Sequence, residues 1–133
     1  MRCARNLGRM RWIVDAMNVI GSKPDGWWKD RHRAMAGLVE RLERWASAEN
    51  LPVTVVFEGP SASTIESAVV EVAHAQRAHA NSADDEIVRL VQADSRPGDI
   101  TVVTSDGGLA ARVREAGALV QPAAGFRELI DRF

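Results

Sequence analysis

The chain has 133 residues, enough for one ordinary domain and too few for two. Hydrophobic residues make up 46% and charged residues 26%, as in globular proteins, and a net charge of −1 excludes binding to nucleic acid by bulk charge alone. No apolar run approaches the ~20 residues of a membrane span, Met1–Arg11 lacks a secretory signal, and the single Cys3 excludes a disulfide framework and a cysteine zinc site, so a cytoplasmic domain is expected.

Charge is unevenly placed. Residues 1–50 carry ten Lys and Arg against six Asp and Glu, and residues 51–133 carry seven against twelve. Residues 1–10 read as a basic arm and residues 11–133 as one domain. Arg11–Asp15 is a short β-rich run that ends on an acid, and residues 16–29, rich in Gly, Pro, Asn and Asp, read as a loop. From Arg31 to about Glu49, Met35, Leu38, Val39, Leu42, Trp45 and Ala46 recur at helical spacing and predict an amphipathic helix. Val53–Glu58 is a nearly continuous apolar run, which suits a strand covered on both faces. A small-residue loop over 59–67 leads to a weaker strand over 68–72. Asn81–Asp94 reads as a helix with Ile87, Leu90 and Val91 on one face.

Ile100–Thr104 is a further strand, Gly108–Ala116 a helix with Gly117 as its C-terminal cap, Ala118–Gln121 a last strand and Phe126–Phe133 a closing helix. This alternation predicts a three-layer α/β/α sandwich around a mostly parallel central sheet.

Open parallel sheets bind ligands beyond the carboxyl ends of their strands, where strand order reverses. Several strands and one helix would deliver acids there: Asp15 after the first strand, Glu58 after the second, Asp106 after Ile100–Thr104, and Asp84 and Asp85 at a helix start. Each acid also has a plainer role. Ser82 with Asp85 fits a capping box, Asp106 fits a helix cap, and Asn18 fits an Asx turn. Asp84, three residues before Ile87 and four before Val88, leans toward the buried face, and Asp15 has no neighbouring cation in sequence. Two carboxylates about 4 Å apart repel by roughly 4 kcal/mol at an effective dielectric near 20. A gathering of Asp15, Asp84, Asp85 and Asp106 therefore calls for protonation or a cation. Oxygen-only ligands select a hard ion, Mg²⁺ or Mn²⁺, and the matching chemistry is metal-assisted attack of water on a phosphodiester.

Three segments in order, Trp12–Ile20 (WIVDAMNVI), Ser82–Ile87 (SADDEI) and Val102–Asp106 (VVTSD), with support from Val55–Gly59 (VVFEG), resemble the NYN domain family of PIN-like, Rossmannoid ribonucleases, and within it the YacP-like branch. The resemblance implies a metal-dependent endoribonuclease. It puts the family's first-strand aspartate on Asp15, its asparagine on Asn18, its paired acids on Asp84 and Asp85, and the aspartate of its Ser-Asp signature on Asp106. Asn18 would orient water or the substrate phosphate, and Ser105 would support the site from behind. The chain departs from the family at Ala16-Met17, where relatives often carry Gly-Tyr, and at Glu58, where an Asp is common. Glu58 thus stands between ligand and supporting residue.

Trp27 and Trp28 are candidates for stacking on RNA bases, or else loop anchors or dimer contacts. Arg31 and Arg33 are candidates for phosphate contacts, or else solvated cations. His32, His74 and His79 lack the spacing of a metal pair. The rival from another class is an RNA-binding or protein-interaction module that uses the same pocket with little catalysis. A phosphoacceptor domain of receiver type needs a late lysine, and the chain has only Lys23 and Lys29. A homo-oligomer stays open.

Overall fold

The computed structural model describes residues 10–58, 65–75 and 82–133. Apart from Met10, the expected basic arm lies outside the described residues, as do His79 and most of the small-residue loop. Among the described residues five strands, β1 (Arg11–Asp15), β2 (Val53–Phe57), β3 (Glu71–His74), β4 (Ile100–Val103) and β5 (Leu119–Gln121), form one sheet in the order β3-β2-β1-β4-β5. Every pairing is parallel. Strand order reverses between β1 and β4, which puts the switch point beside the end of β1.

The layers follow from residue pattern. Every residue of β2 and β4 is buried, as expected for strands covered on both faces, whereas β3 and β5 form the partly exposed edges. On one face α1 (Ala16–Ile20), α2 (Arg31–Glu49) and α5 (Ala123–Ile130) pack over Val14, Val55 and Phe57. There Trp12 stacks on Phe126 at 5.8 Å, and Trp45 meets each of them edge-on at 5.1 Å. On the other face α3 (Ser82–Ala93) and α4 (Gly107–Glu115) cover Ile13, Val56 and Val102. Because helices run back between parallel strands, α2, α3, α4 and α5 all begin at the carboxyl edge of the sheet.

The expected sandwich is present, with four local corrections. Residues 16–20 are helical rather than loop, because Ala16, Val19 and Ile20 recur at helical spacing and all three are buried; the turn-forming residues begin only at Gly21. The edge strand starts at Glu71 instead of 68, because Ser67 Oγ accepts from the backbone N–H groups of Val69 and Val70 and draws them out of the ladder. The last helix begins at Ala123 behind Pro122, where the fixed φ of proline suits a helix start. The cap of α4 is Ala116, and Gly117, at φ +105°, takes the left-handed position just beyond it.

An ion network around one buried arginine fixes the segment after α1. A five-residue helix leaves its last carbonyls without partners. Arg127, only 8% exposed, directs Nη1 toward the carbonyls of Val19 and Ile20 at 3.5 and 3.4 Å. Its other nitrogens bind Asp25 at 3.0 Å and Asp131 at 3.1 Å. Asp131 also accepts from Lys23 at 2.7 Å and from Arg41 at 3.1 Å. One guanidinium thereby ties α1, the following loop, α2 and α5 together. Arg127→Met should lower stability by about 2 kcal/mol in urea unfolding, through the Ile20 carbonyl and the Asp25 carboxylate that lose their guanidinium partner, while Ser22 keeps the Val19 carbonyl and Lys23 and Arg41 keep Asp131. Asp25→Ala, at a more exposed partner, should cost no more than about 1 kcal/mol.

Candidate active site

The last residue of β1 is an acid at the centre of the sheet. Asp15 sits opposite Val56 in the β1–β2 register, and Val56 belongs to the face covered by α3 and α4. Neighbouring residues across parallel strands share a face, so the Asp15 carboxylate points toward the starts of those two helices. It is 6% exposed. Its described hydrogen-bond partner is Thr104, which donates its hydroxyl proton from Oγ1 to Oδ2 over 2.9 Å.

Thr104 organises the turn after β4 as well. It is 1% exposed, and its Oγ1 accepts from the backbone N–H of Asp106 at 3.1 Å. Asp106 in turn caps α4, accepting from the Leu109 N–H at 3.1 Å. The capping role expected for Asp106 is thus real, and it occupies Oδ1 only. Ser105 supports the same turn: its backbone N–H donates to Asn18 Oδ1 at 2.7 Å and its Oγ accepts from the Ala123 N–H at 2.9 Å. The end of β4 is therefore stitched to β1, α1 and α5. Because Asn18 Oδ1 is committed to an N–H group, its amide nitrogen is the end left to donate elsewhere.

Asp84 reaches the site from the first turn of α3 and is half-buried. Burial pushes its carboxyl up, repulsion from Asp106, Asp85 and Glu58 adds to this, and Arg112 opposes it. The Asp15 carboxyl is pushed up to about 6, first by burial and then by Asp84, Asp106 and Glu58, against the Thr104 hydrogen bond. Acids from β1, α3, α4 and the end of β2 thus share one electrostatic neighbourhood. Asp85 is turned outward; it is exposed and pairs with Arg112 at 3.1 Å. Glu58 is exposed at the rim.

Among the described residues no three of these carboxylates are gathered tightly enough to enclose an ion by themselves. The donor set is carboxylate oxygen, which suits a hard divalent cation that keeps part of its water and is completed by a substrate phosphate. No histidine joins it among the described residues. His74 stacks on Phe57 at 5.5 Å with both ring nitrogens buried and unbonded, on the sheet face opposite Asp15. His32 is exposed on α2.

The two tryptophans separate. Trp27 is half-buried against the core, while Trp28 is 54% exposed, at 5.9 Å from it and edge-on. Arg31 and Arg33 are exposed at the start of α2. Thr104 is the residue that sequence reading passed over. Its only signal was a hydroxyl at the end of an otherwise apolar strand, next to Ser105 and Asp106.

Raising a carboxyl from 3.8 to about 6 on folding has a definite sign. Below the lower value Asp15 is protonated in both states. Above the higher value it is ionised in both, and the folded state bears the buried charge, so stability is lost as pH rises through 6. At about 1.4 kcal/mol per unit, the loss is about 3 kcal/mol. With a chelator present, Asp15→Asn should be more stable than the parent at pH 8 by about 2–3 kcal/mol, and urea titrations should show the gap closing toward pH 4.

Comparison with known proteins agrees with the fold. The crystal structure of Rae1 (YacP) from Bacillus subtilis superimposes with a TM-score of 0.71 at 27% identity, over 91% of this chain and 75% of that one. The structure of its W164L mutant gives 0.72 at 26% identity, over 92% and 76%. No curated protein matches the chain. The family model of the YacP-like NYN domain matches residues 12–133, which include every acid of the site. The chain belongs to the YacP-like NYN domain family, and this membership points to a ribonuclease.

Proposed function

We propose that the chain is an endoribonuclease that hydrolyses RNA phosphodiester bonds with Mg²⁺ or Mn²⁺. The observation that carries this reading is the meeting of Asp15, Asp84 and Asp106 at the switch point, with the Asp15 carboxyl pushed up by burial first and by its acidic neighbours second. These three acids would hold the cation, with Asp85 and Arg112 as an outer pair. When bound, the ion would supply Lewis acidity toward water and the phosphate.

The rest of the chemistry falls to the chain. Thr104 fixes the orientation of the Asp15 carboxylate. The α4 cap leaves one Asp106 oxygen free to face the site. Asn18, fixed through Ser105, presents its amide N–H groups toward a phosphate oxygen. Glu58 adds negative charge at the rim. Attack by water on phosphorus forms a new P–O bond and breaks the bond to the 3′ oxygen, which leaves with a proton. The products are then a 3′-hydroxyl and a 5′-phosphate. No described helix is long and apolar enough to cross a membrane, consistent with action on RNA in solution.

The test is an assay on mixed single-stranded and structured RNA, with Mg²⁺ or Mn²⁺ and with a chelator. Cleavage should require the cation and yield 5′-phosphate ends. Asp15→Asn and Asp106→Asn should each reduce it on the order of 100-fold or more, while Asp106→Asn leaves the urea midpoint nearly unchanged because Asn caps as well as Asp. Full activity in either variant, or cyclic-phosphate ends, would refute the mechanism. RNA binding that is indifferent to chelation, with no cleavage at high protein concentration, would identify a binding module instead.

A further inference from the structure

Arg112 holds a place that no other described cation shares. Among the described residues it is the one cation in an ion pair with an acid of the site, joined to Asp85 at 3.1 Å. Its charge also reaches Asp84, where it opposes the repulsion from Asp106, Asp85 and Glu58. Arg112 lies in the second turn of α4, and a helical side chain leans back over the turn before it. That direction leads to the carboxyl edge of the sheet, where α4 begins and where Asp85 stands in the first turn of α3. The first two residues of α4, Gly107 and Gly108, put no side chain in the way, and a Cβ on Gly107 would meet nothing within 4 Å.

The pair with Asp85 leaves most of the guanidinium unused. Arg127 has all three of its nitrogens engaged and Arg89 grips Glu86 with two, whereas Arg112 touches Asp85 through Nη1. A guanidinium has five N–H donors, so the fork can take a second acceptor without giving up the first. The two side chains are 47% and 59% exposed, a setting in which an ion pair adds little to stability.

The acidic edge also needs a cation of this kind. One divalent ion offsets two of the charges on Asp15, Asp84 and Asp106, and a bound phosphate brings a further one. The loaded edge therefore stays negative toward the phosphates on either side of the one it holds, and Asp85 and Glu58 add to this at the rim. A planar fork on the α3–α4 side matches the oxygens of such a neighbouring phosphate.

We propose that Arg112 receives the RNA phosphate next to the scissile one, with Asp85 as its resting partner in the free chain. The choice of RNA as ligand rests on the nuclease reading; the contact itself requires no ion.

The measurement is the affinity of the full chain for a fluorescent ten-nucleotide single-stranded RNA over a range of salt, with chelator present to prevent cleavage. Arg112→Ala should weaken binding about tenfold and flatten the dependence of log affinity on log salt by about 0.7, the share of one phosphate contact on a single strand. Arg114→Ala removes the same charge from an exposed position of the same helix and should leave affinity within about twofold of the parent. Arg112→Lys keeps the charge and loses the fork, and should stay about fivefold weaker than the parent. Titration with Mn²⁺ in the absence of RNA should show Arg112→Ala binding the ion at least as tightly as the parent, because a cation beside Asp84 is gone. With the ion restored, Arg112→Ala should raise KM and leave kcat near the parent value.

No RNA binding by the parent chain, or parent-like binding by Arg112→Ala, would overturn the proposal. An equal loss in Arg114→Ala, or full affinity in Arg112→Lys, would do so by showing diffuse charge in place of a contact. Weakened Mn²⁺ binding in Arg112→Ala would do so as well, since the pair would then serve the ion and not the strand. Cation-dependent cleavage that is indifferent to Arg112 would sink this inference and leave the nuclease reading standing. Binding that depends on Arg112, with no cleavage when the ion is restored, would do the reverse.

Discussion

A carboxylate buried at the end of the central strand is the constraint around which this protein is arranged. Asp15 bears the desolvation of its position and the repulsion of three other acids, and its described direct support is the Thr104 hydroxyl. A group in that state destabilises the fold at neutral pH. Its presence makes sense where a cation and a phosphate relieve the charge, because the same low-dielectric surroundings that penalise the bare carboxylate strengthen its grip on an ion. The site is thus a store of unfavourable electrostatics, and the surrounding fold has to carry it.

The fold does so through the turn after β4. Thr104, Ser105 and Asp106 each make a bond to a different element, β1, α1 with α5, and α4 respectively. Three consecutive residues therefore set the relation between the two halves of the sheet at the switch point. Arg127 performs a comparable task one layer out, where it caps the short α1 and fixes the segment that leads to Trp27 and Trp28.

The charge balance of the chain takes on a spatial meaning. A near-neutral total hides acids gathered at the starts of α3 and α4 and exposed cations at the start of α2, on opposite sides of one edge. On the proposed reading an RNA strand would use both, cations along its backbone and acids through an ion at the phosphate to be cut. Bulk charge would attract RNA without placing it. Separation of the two signs across α1 would let attraction and placement be handled by different residues.

Much of this was legible in the residues themselves. Continuous apolar runs at Val53–Phe57 and Ile100–Val103 and helical spacing over Arg31–Glu49 dictate buried parallel strands and a covering helix, since each pattern has one economical way to hide its apolar surface. The parallel topology, once read, sends Asp15, Asp84 and Asp106 to one edge. Other features were decided only by contacts between distant segments. Asp85 and Asp84 are adjacent in sequence, yet Arg112 on α4 draws one outward while packing leaves the other facing the site. Trp27 and Trp28 look alike in the chain and separate into core and surface. The part of Thr104 depends on a partner 89 positions away. Periodicity records which face of an element is apolar; it carries no record of which polar side chain on a neighbouring element will stand opposite, and that choice sets the chemistry of the site.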